Sequence, residues 1–135
     1  MATEFKSQIC TTVEQSKRLL GLGLKKETAD MIHIYLNQWD GWYVRPLDVD
    51  ESIHHMEIPA WSLHRLIETM PNIRKYNDIA DLSVSNEIVQ YRFYDVDYNH
   101  DVCLEHFNDG TLYNNIIDCI EWLIKEGYFN KEYLV

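Results

Sequence analysis

The sequence predicts an α+β fold, in which one small antiparallel sheet of about four strands, built as two hairpins, packs with three helices. β-rich segments occur in neighbouring pairs between amphipathic segments, in the order α-β-β-α-β-β-α, whereas a parallel sheet needs strands and helices to alternate singly. Of the 135 residues, 46% are hydrophobic and 13% are aromatic. This apolar content is sufficient for one packed domain, which we expect to span residues 1–135.

The first helix is predicted from its two ends. Thr11 and Thr12 precede Glu14 and Gln15, respectively, by three residues, and this spacing forms two overlapping capping boxes. Gly23 suits the left-handed residue that ends a helix, because glycine has no Cβ to clash there.

The first strand pair follows this helix. Residues 31–36 are apolar and β-branched, which predicts a strand. Asp40-Gly41 is a hairpin-turn signal, and residues 42–47 then predict the second strand.

The second helix is predicted by the clearest apolar stripe of the chain. Leu63, Leu66, Ile67 and Met70 recur with helical spacing. Pro59 suits the first turn of this helix, where its missing N–H costs nothing.

The second strand pair and the last helix complete the order. Residues 72–85 are polar and predict a loop, whereas residues 87–95 and 101–107 predict two strands joined by a short turn. Asp109-Gly110-Thr111 opens the last helix and Gly127 ends it. Its buried face is predicted to be Leu112, Ile116, Ile120, Leu123 and Ile124.

Composition excludes several classes of function. Asp and Glu total 22 against 12 Lys and Arg, a net charge of −10, which disfavours direct binding of nucleic-acid phosphates and of anionic membranes. No apolar run approaches the length of a membrane span, and the N-terminus has no signal core. Cys10, Cys103 and Cys119 have no metal-ligand spacing, so we expect free thiols and a cytoplasmic location.

Motifs for catalysis are missing from the sequence. It contains no phosphate-binding glycine loop, no nucleophile elbow, no CxxC pair and no HExxH. In a regular strand Cys103 lies on the face opposite to His100 and His106, which disfavours a cysteine–histidine pair. We therefore favour a protein that is not an enzyme and that needs no cofactor.

Two segments nevertheless carry residues that bind metals. Asp95, Asp97 and Asn99 alternate as the oxygen ligands of a calcium loop do, and His100 follows them. The calcium template requires glycine where His100 stands, and the alternative is a turn in which Asp and Asn bond their own backbone. His54 and His55 lie among carboxylates and form a second metal candidate, with a solvated acidic loop as the alternative.

Aromatic residues form a third candidate site. Trp39, Trp42 and Tyr43 bracket the first hairpin turn, and Trp61 precedes the second helix. If these side chains are exposed they anchor a partner, and if they are buried they belong to the core.

Three segments together carry a resemblance to a known family. They are residues 12–20 with Gly23-Leu24 and residues 28–31, then residues 58–63, and finally residues 120–128. As a set they resemble a family of small uncharacterised proteins from gut-commensal bacteria and their phages or mobile elements. The resemblance implies a bacterial cytoplasmic accessory protein and assigns no catalytic residue.

The leading functional hypothesis is a non-enzymatic interaction module. Its negative charge suits a partner protein with a basic surface, and one version is an inhibitor that occupies a nucleic-acid-binding surface. The alternatives are a small metal-dependent enzyme or metal-binding protein that uses Asp95, Asp97 and His100 or the His54-His55 pair, and a homo-oligomeric subunit, such as a homodimer, with tryptophans at its interface.

Overall fold

The computed structural model describes residues 7–36, 41–48, 53, 56–75 and 78–135. The chain divides into two compact units, Met1–Arg65 (unit 1) and Leu66–Val135 (unit 2). The organisation of residues 1–135 as a single domain stays a prediction. No helix within the described ranges is long and apolar enough to cross a membrane.

The fold is α+β, as predicted, and its sheets are antiparallel. The described residues form α1 (Val13–Gly21), β1 (Met31–Leu36), β2 (Gly41–Pro46), β3 (Glu57–Ala60), α2 (Leu63–Thr69), β4 (Ile73–Lys75), β5 (Asp78–Ser85), β6 (Ile88–Asp95), β7 (His100–Phe107) and α3 (Leu112–Lys125). Short 3-10 turns occupy Lys26–Thr28 and Lys131–Tyr133.

The strand count and order differ from the prediction. Instead of one sheet of about four strands, a three-stranded sheet has the order β2-β1-β3 and a four-stranded sheet has the order β4-β5-β6-β7. The element order is therefore α-β-β-β-α-β-β-β-β-α. Three strands were missed, β3, β4 and β5.

Strand β3 was missed because of its proline. Pro59 does not start a helix; it lies in β3, opposite Ile32 of β1. Among the strands that the structure describes, β3 lies at the edge of its sheet and pairs on one side only, with β1, so a proline is tolerated there.

Strand β5 was missed because one of its faces is polar. Ala80 is buried and Leu82 is half-buried, whereas Asp81 and Ser85 are exposed. This is the alternation of a strand with one face towards a core. Residues 72–85 contain few large apolar residues, and for this reason their sequence resembles that of a loop.

The predicted start of α1 and the predicted glycines after α1 and α3 are confirmed. Gln15 N–H donates to Thr12 Oγ1 at 3.1 Å and Thr12 N–H donates to Gln15 Oε1 at 3.0 Å, which is the second of the two capping boxes. Gly23 and Gly127 both have positive φ, at 104° and 80°, and they follow α1 and α3 as left-handed terminal residues.

Helix α3 forms the core of unit 2 against β6 and β7. Ile116, Ile120 and Leu123 are fully buried, as predicted, whereas Leu112 and Ile124, predicted for the same face, are half-buried. Trp122 packs against β6 and β7, with its ring centroid 6.0 Å from that of Tyr91 and 6.2 Å from that of Phe107.

A β-bulge interrupts the β6–β7 pair. Tyr91 lies opposite Glu105 and Arg92 lies opposite Cys103, so Leu104 is an extra residue in β7. The bulge shifts the alternation of β7. Cys103 and His106 consequently lie on the same face of the sheet, the face opposite to buried Tyr91.

Candidate functional site

The negative charge is concentrated in unit 2. Unit 2 contains 13 acidic residues against 5 basic ones, a net charge of −8, whereas unit 1 contains 9 against 7, a net charge of −2. Residues 93–124 include seven acidic residues and no lysine or arginine. The formal net charge of this segment is therefore −7, nearly all of the net charge of unit 2.

The end of the β6–β7 hairpin combines this charge with exposed apolar surface. Residues 94–101, here called the acidic hairpin end, connect the two strands through the turn 96–99. Tyr94, Val96 and Tyr98 are 50%, 78% and 76% exposed, and Asp97 and Asp101 are exposed beside them. Large apolar side chains are normally withdrawn from water, so three together mark a candidate binding surface.

The turn is held by the first aspartate of the hairpin end. Asp95 Oδ1 accepts hydrogen bonds from Asp97 N–H at 3.0 Å and from Tyr98 N–H at 3.3 Å. Asn99 follows with a φ of 54°, a left-handed conformation that asparagine tolerates better than most residues. The Asp/Asn-rich turn, which is the alternative to a calcium loop, is therefore present.

Side-chain contacts fix the remaining polar groups of the turn. The Tyr94 hydroxyl and Asn99 Oδ1 are hydrogen-bonded. His100 Nδ1 lies 3.2 Å from the Tyr98 carbonyl oxygen, and the rings of the two residues are 6.2 Å apart between centroids. These contacts order the turn, so it presents Asp97 and Tyr98 in a defined arrangement.

Part of the ligand set predicted for a metal site lies in this turn. Asp95, Asp97 and Asn99 do lie in one turn, with one Asp95 oxygen bonded to backbone N–H groups. Within the described ranges, no three His, Cys, Asp or Glu residues are grouped to hold a metal ion. His54 and His55 lie outside the described residues, and the metal hypothesis stays a prediction.

The four aromatic candidates of unit 1 separate into different environments. Trp42 is 46% exposed, and its ring centroid lies 5.5 Å from that of Tyr35 and 6.4 Å from that of His33. Tyr43 is half-buried on the other face of β2, since side chains alternate along a strand. Trp39 lies outside the described residues.

Trp61 belongs to the core of unit 1. Its side chain has no exposed area, and its Nε1–H donates to Thr28 Oγ1 at 2.9 Å. Its backbone N–H donates to Thr11 Oγ1 at 3.1 Å. A fully buried indole cannot anchor a partner on this surface, so Trp42 is the candidate that supplies exposed area.

The placement of Cys103 corrects one prediction. The bulge at Leu104 brings Cys103 to the same face as His106, not to the opposite one, because it adds one residue between them in the alternation. Cys103 is exposed and its Sγ donates to Gln90 Oε1 at 3.7 Å.

The short contact between Ser62 and Asp30 lies at the start of helix α2. Ser62 Oγ donates to Asp30 Oδ2 at 2.5 Å and accepts from Arg65 N–H at 3.1 Å, so this serine caps α2.

Comparisons with protein-family models, with curated proteins and with solved structures gave no match. The resemblance to small proteins of gut-commensal bacteria and their mobile elements therefore stays a prediction.

The sequence predicted the aspartates of the hairpin end but not its tyrosines. Tyr94 and Tyr98 flank Asp95 and Asp97 in the sequence. The sequence feature that could have indicated their exposure is their position beside a turn, where no core is within reach of either side chain. A period-2 pattern alone does not reveal exposure at the end of a hairpin.

Proposed function

We propose that this protein is a non-enzymatic interaction module whose acidic hairpin end binds a basic surface of another protein. The observation that carries the proposal is the presence of Tyr94, Val96 and Tyr98, all exposed, within the segment 93–124 that has seven acidic residues and no basic one.

The two components of the hairpin end contribute differently to binding. Asp97 and Asp101 steer a basic partner towards the hairpin and raise the association rate, an effect that salt screens. Tyr98 supplies contact area that is already ordered by its neighbours, and tyrosine is enriched among residues that dominate binding energy.

A partner that normally binds nucleic acid suits this chemistry best. Such a partner presents Lys and Arg spaced for phosphates, and carboxylates on a rigid hairpin replace those phosphates. The chain is then an inhibitor of that partner. A cytosolic location is part of the proposal, because Cys10, Cys103 and Cys119 are all free thiols, as is usual in a reducing compartment.

The experiment is an affinity capture from cell extract with four forms of the chain: wild type, Asp97→Lys, Tyr98→Ala and Glu132→Lys. The Asp97→Lys variant reverses one charge at the hairpin end and keeps the backbone N–H that donates to Asp95 Oδ1. Glu132→Lys is the matched control, since Glu132 is exposed and lies outside the hairpin. Each bait is washed at low salt and at about 0.5 M, where the Debye length falls to roughly 4 Å.

The expected result is a stoichiometric basic partner that wild type and Glu132→Lys retain at low salt. Asp97→Lys and Tyr98→Ala lose it, as does wild type at high salt. Equal loss from Asp97→Lys and Glu132→Lys would contradict a specific role of the hairpin end. The absence of any partner in both washes would remove the proposal.

A further inference from the structure

The four-stranded sheet of unit 2 has a second face that α3 does not cover. The alternation set by buried Ala80, Val89 and Tyr91 directs the intervening side chains of β4–β7 to the other face, here called the open face. Its exposed apolar members are Ile79, Ile88 and Tyr94. The open face shares Tyr94 and Asp101 with the acidic hairpin end, whereas Asp97 and Tyr98 lie in the turn beyond the paired strands.

Charge distinguishes the open face from the rest of unit 2. It carries two arginines, Arg74 and Arg92, and two aspartates, Asp81 and Asp101, all exposed. The formal charges of these four residues cancel, whereas unit 2 as a whole has a net charge of −8. A second acidic copy of the chain therefore meets less repulsion here than elsewhere on this unit.

We propose that the open face packs against the open face of a second copy and forms a two-fold symmetric dimer. A two-fold interface must be self-complementary, because the same patch is used on both copies. Asp81 and Arg92 lie opposite each other on β5 and β6. A two-fold axis passing between them brings each Arg92 opposite Asp81 of the second copy.

The size of the open face predicts how tight this dimer is. Three strands of eight residues and one of three, at about 3.3 Å per residue and about 4.8 Å per strand, give a footprint of roughly 430 Å² per copy. The total of roughly 850 Å² lies below the roughly 1,000 Å² of a stable specific interface and in the range of weak, transient ones. A reversible dimer that dissociates on dilution follows from this area.

The occupant is a second copy and not the basic partner of the hairpin end. The four charges of the open face cancel, so it offers a basic partner no net attraction. Arginines and aspartates side by side on one face can pair with the same residues of a second copy, and this self-complementarity favours the second copy as the occupant.

The test measures the mass of the full chain by sedimentation across a range of protein concentrations. The mass is expected to rise from the 16.1 kDa of one chain towards twice that value. Arg92→Asp sets aspartate against Asp81 of the second copy and is expected to keep the chain monomeric. The double variant Asp81→Arg with Arg92→Asp restores opposite charges and is expected to restore the dimer.

Two controls keep the result specific. Lys131→Asp makes the same change of charge at an exposed position outside the open face and is expected to leave the dimer intact. Asp97→Lys is also expected to dimerise normally, so failure of the hairpin proposal and failure of this one are distinguishable.

Cys103 supplies a second readout of the same interface. It lies on the open face and is exposed, whereas Cys10 and Cys119 are buried. Alkylation of Cys103 is therefore expected to slow at concentrations where the dimer forms, and to stay fast in Arg92→Asp. A monomer at all concentrations, or an Arg92→Asp variant that dimerises like wild type, would overturn the proposal.

Discussion

The side-chain amide of Asn115 bonds both backbone groups of Gly110. Gly110 N–H donates to Asn115 Oδ1 at 3.0 Å, and Asn115 Nδ2 donates to the Gly110 carbonyl at 2.9 Å. The same Nδ2 donates to the Glu87 carbonyl at 2.6 Å. Asn115 is fully buried, so this one residue ties the start of α3 to the segments before α3 and before β6.

Replacing this amide by a carboxylate is expected to destabilise the protein. Asn115→Asp removes the donor and sets an acceptor against two carbonyl oxygens, and each buried group left unsatisfied costs about 1–3 kcal/mol. Urea unfolding should show a loss of at least about 2 kcal/mol. Asn108→Asp, at an exposed position, makes the same chemical change and is expected to have little effect; an equal loss from both variants would refute the role of Asn115.

The bond between Trp61 and Thr28 is expected to contribute measurably to stability. Trp61→Phe removes the indole N–H that donates to Thr28 Oγ1. The free energy of unfolding should therefore fall by about 1–2 kcal/mol. A double-mutant cycle with Thr28→Val should give a coupling of about 1 kcal/mol. Trp42→Phe, at an exposed site, is the matched control, with an expected effect within about 0.5 kcal/mol; a coupling near zero would contradict the prediction.

Stability is expected to fall at alkaline pH. Burial, with smaller contributions from the charges of Glu105 and Asp118, raises the pKa of Cys119 from 9.0 to about 12. Burial also raises the pKa of Tyr91 above its ordinary value. Above pH 9 the unfolded chain loses the thiol proton that the folded chain keeps, so the free energy of unfolding decreases from about pH 9 towards pH 12.

A comparison with Cys119→Ala tests this pH dependence. The variant starts from a lower stability at neutral pH, because it loses buried volume. Its free energy of unfolding should nevertheless decline less steeply between pH 9 and pH 12, since one titrating group has been removed. A slope identical to that of wild type would show that Cys119 does not titrate as its burial requires.

Divalent metals are expected to leave the melting temperature unchanged. One Asp95 oxygen already accepts two backbone N–H groups, and a ligand that binds only the folded state must raise the melting temperature. Thermal melts with millimolar Ca²⁺, Mn²⁺ or Zn²⁺ check this. An increase that disappears in Asp97→Asn would establish a metal at the hairpin end, and an increase that persists there would direct attention to His54 and His55.

Local signals predicted the helices and the strongest strands. The Thr12–Gln15 capping box, the glycines after α1 and α3 and the apolar run of β1 are all encoded within a few neighbouring residues. Such features form with little dependence on the rest of the chain, which is why pattern and capping rules locate them.

The missed features depend on distant residues. Pro59 is acceptable in β3 because, within the described ranges, β3 pairs with β1 alone and lies at the edge of its sheet. The polar face of β5 is acceptable only because α3 covers the opposite face of its sheet. For the candidate site, the aspartates and the segment 93–124 without Lys or Arg can be found from the sequence, but the exposure of Tyr98 follows from the fold.

The extra residue in β7 determines which face of the sheet each side chain of this strand occupies. Val102 and Phe107 lie opposite Phe93 and Val89, both buried, although they are an odd number of positions apart. A substitution at Leu104 leaves that count unchanged. Deletion of one residue between Val102 and Phe107 makes this separation even, as it is between Phe93 and Val89, and a regular strand without the bulge then keeps both residues on the buried face. An insertion has no such solution in a regular ladder, so this strand can lose one residue more easily than it can gain one.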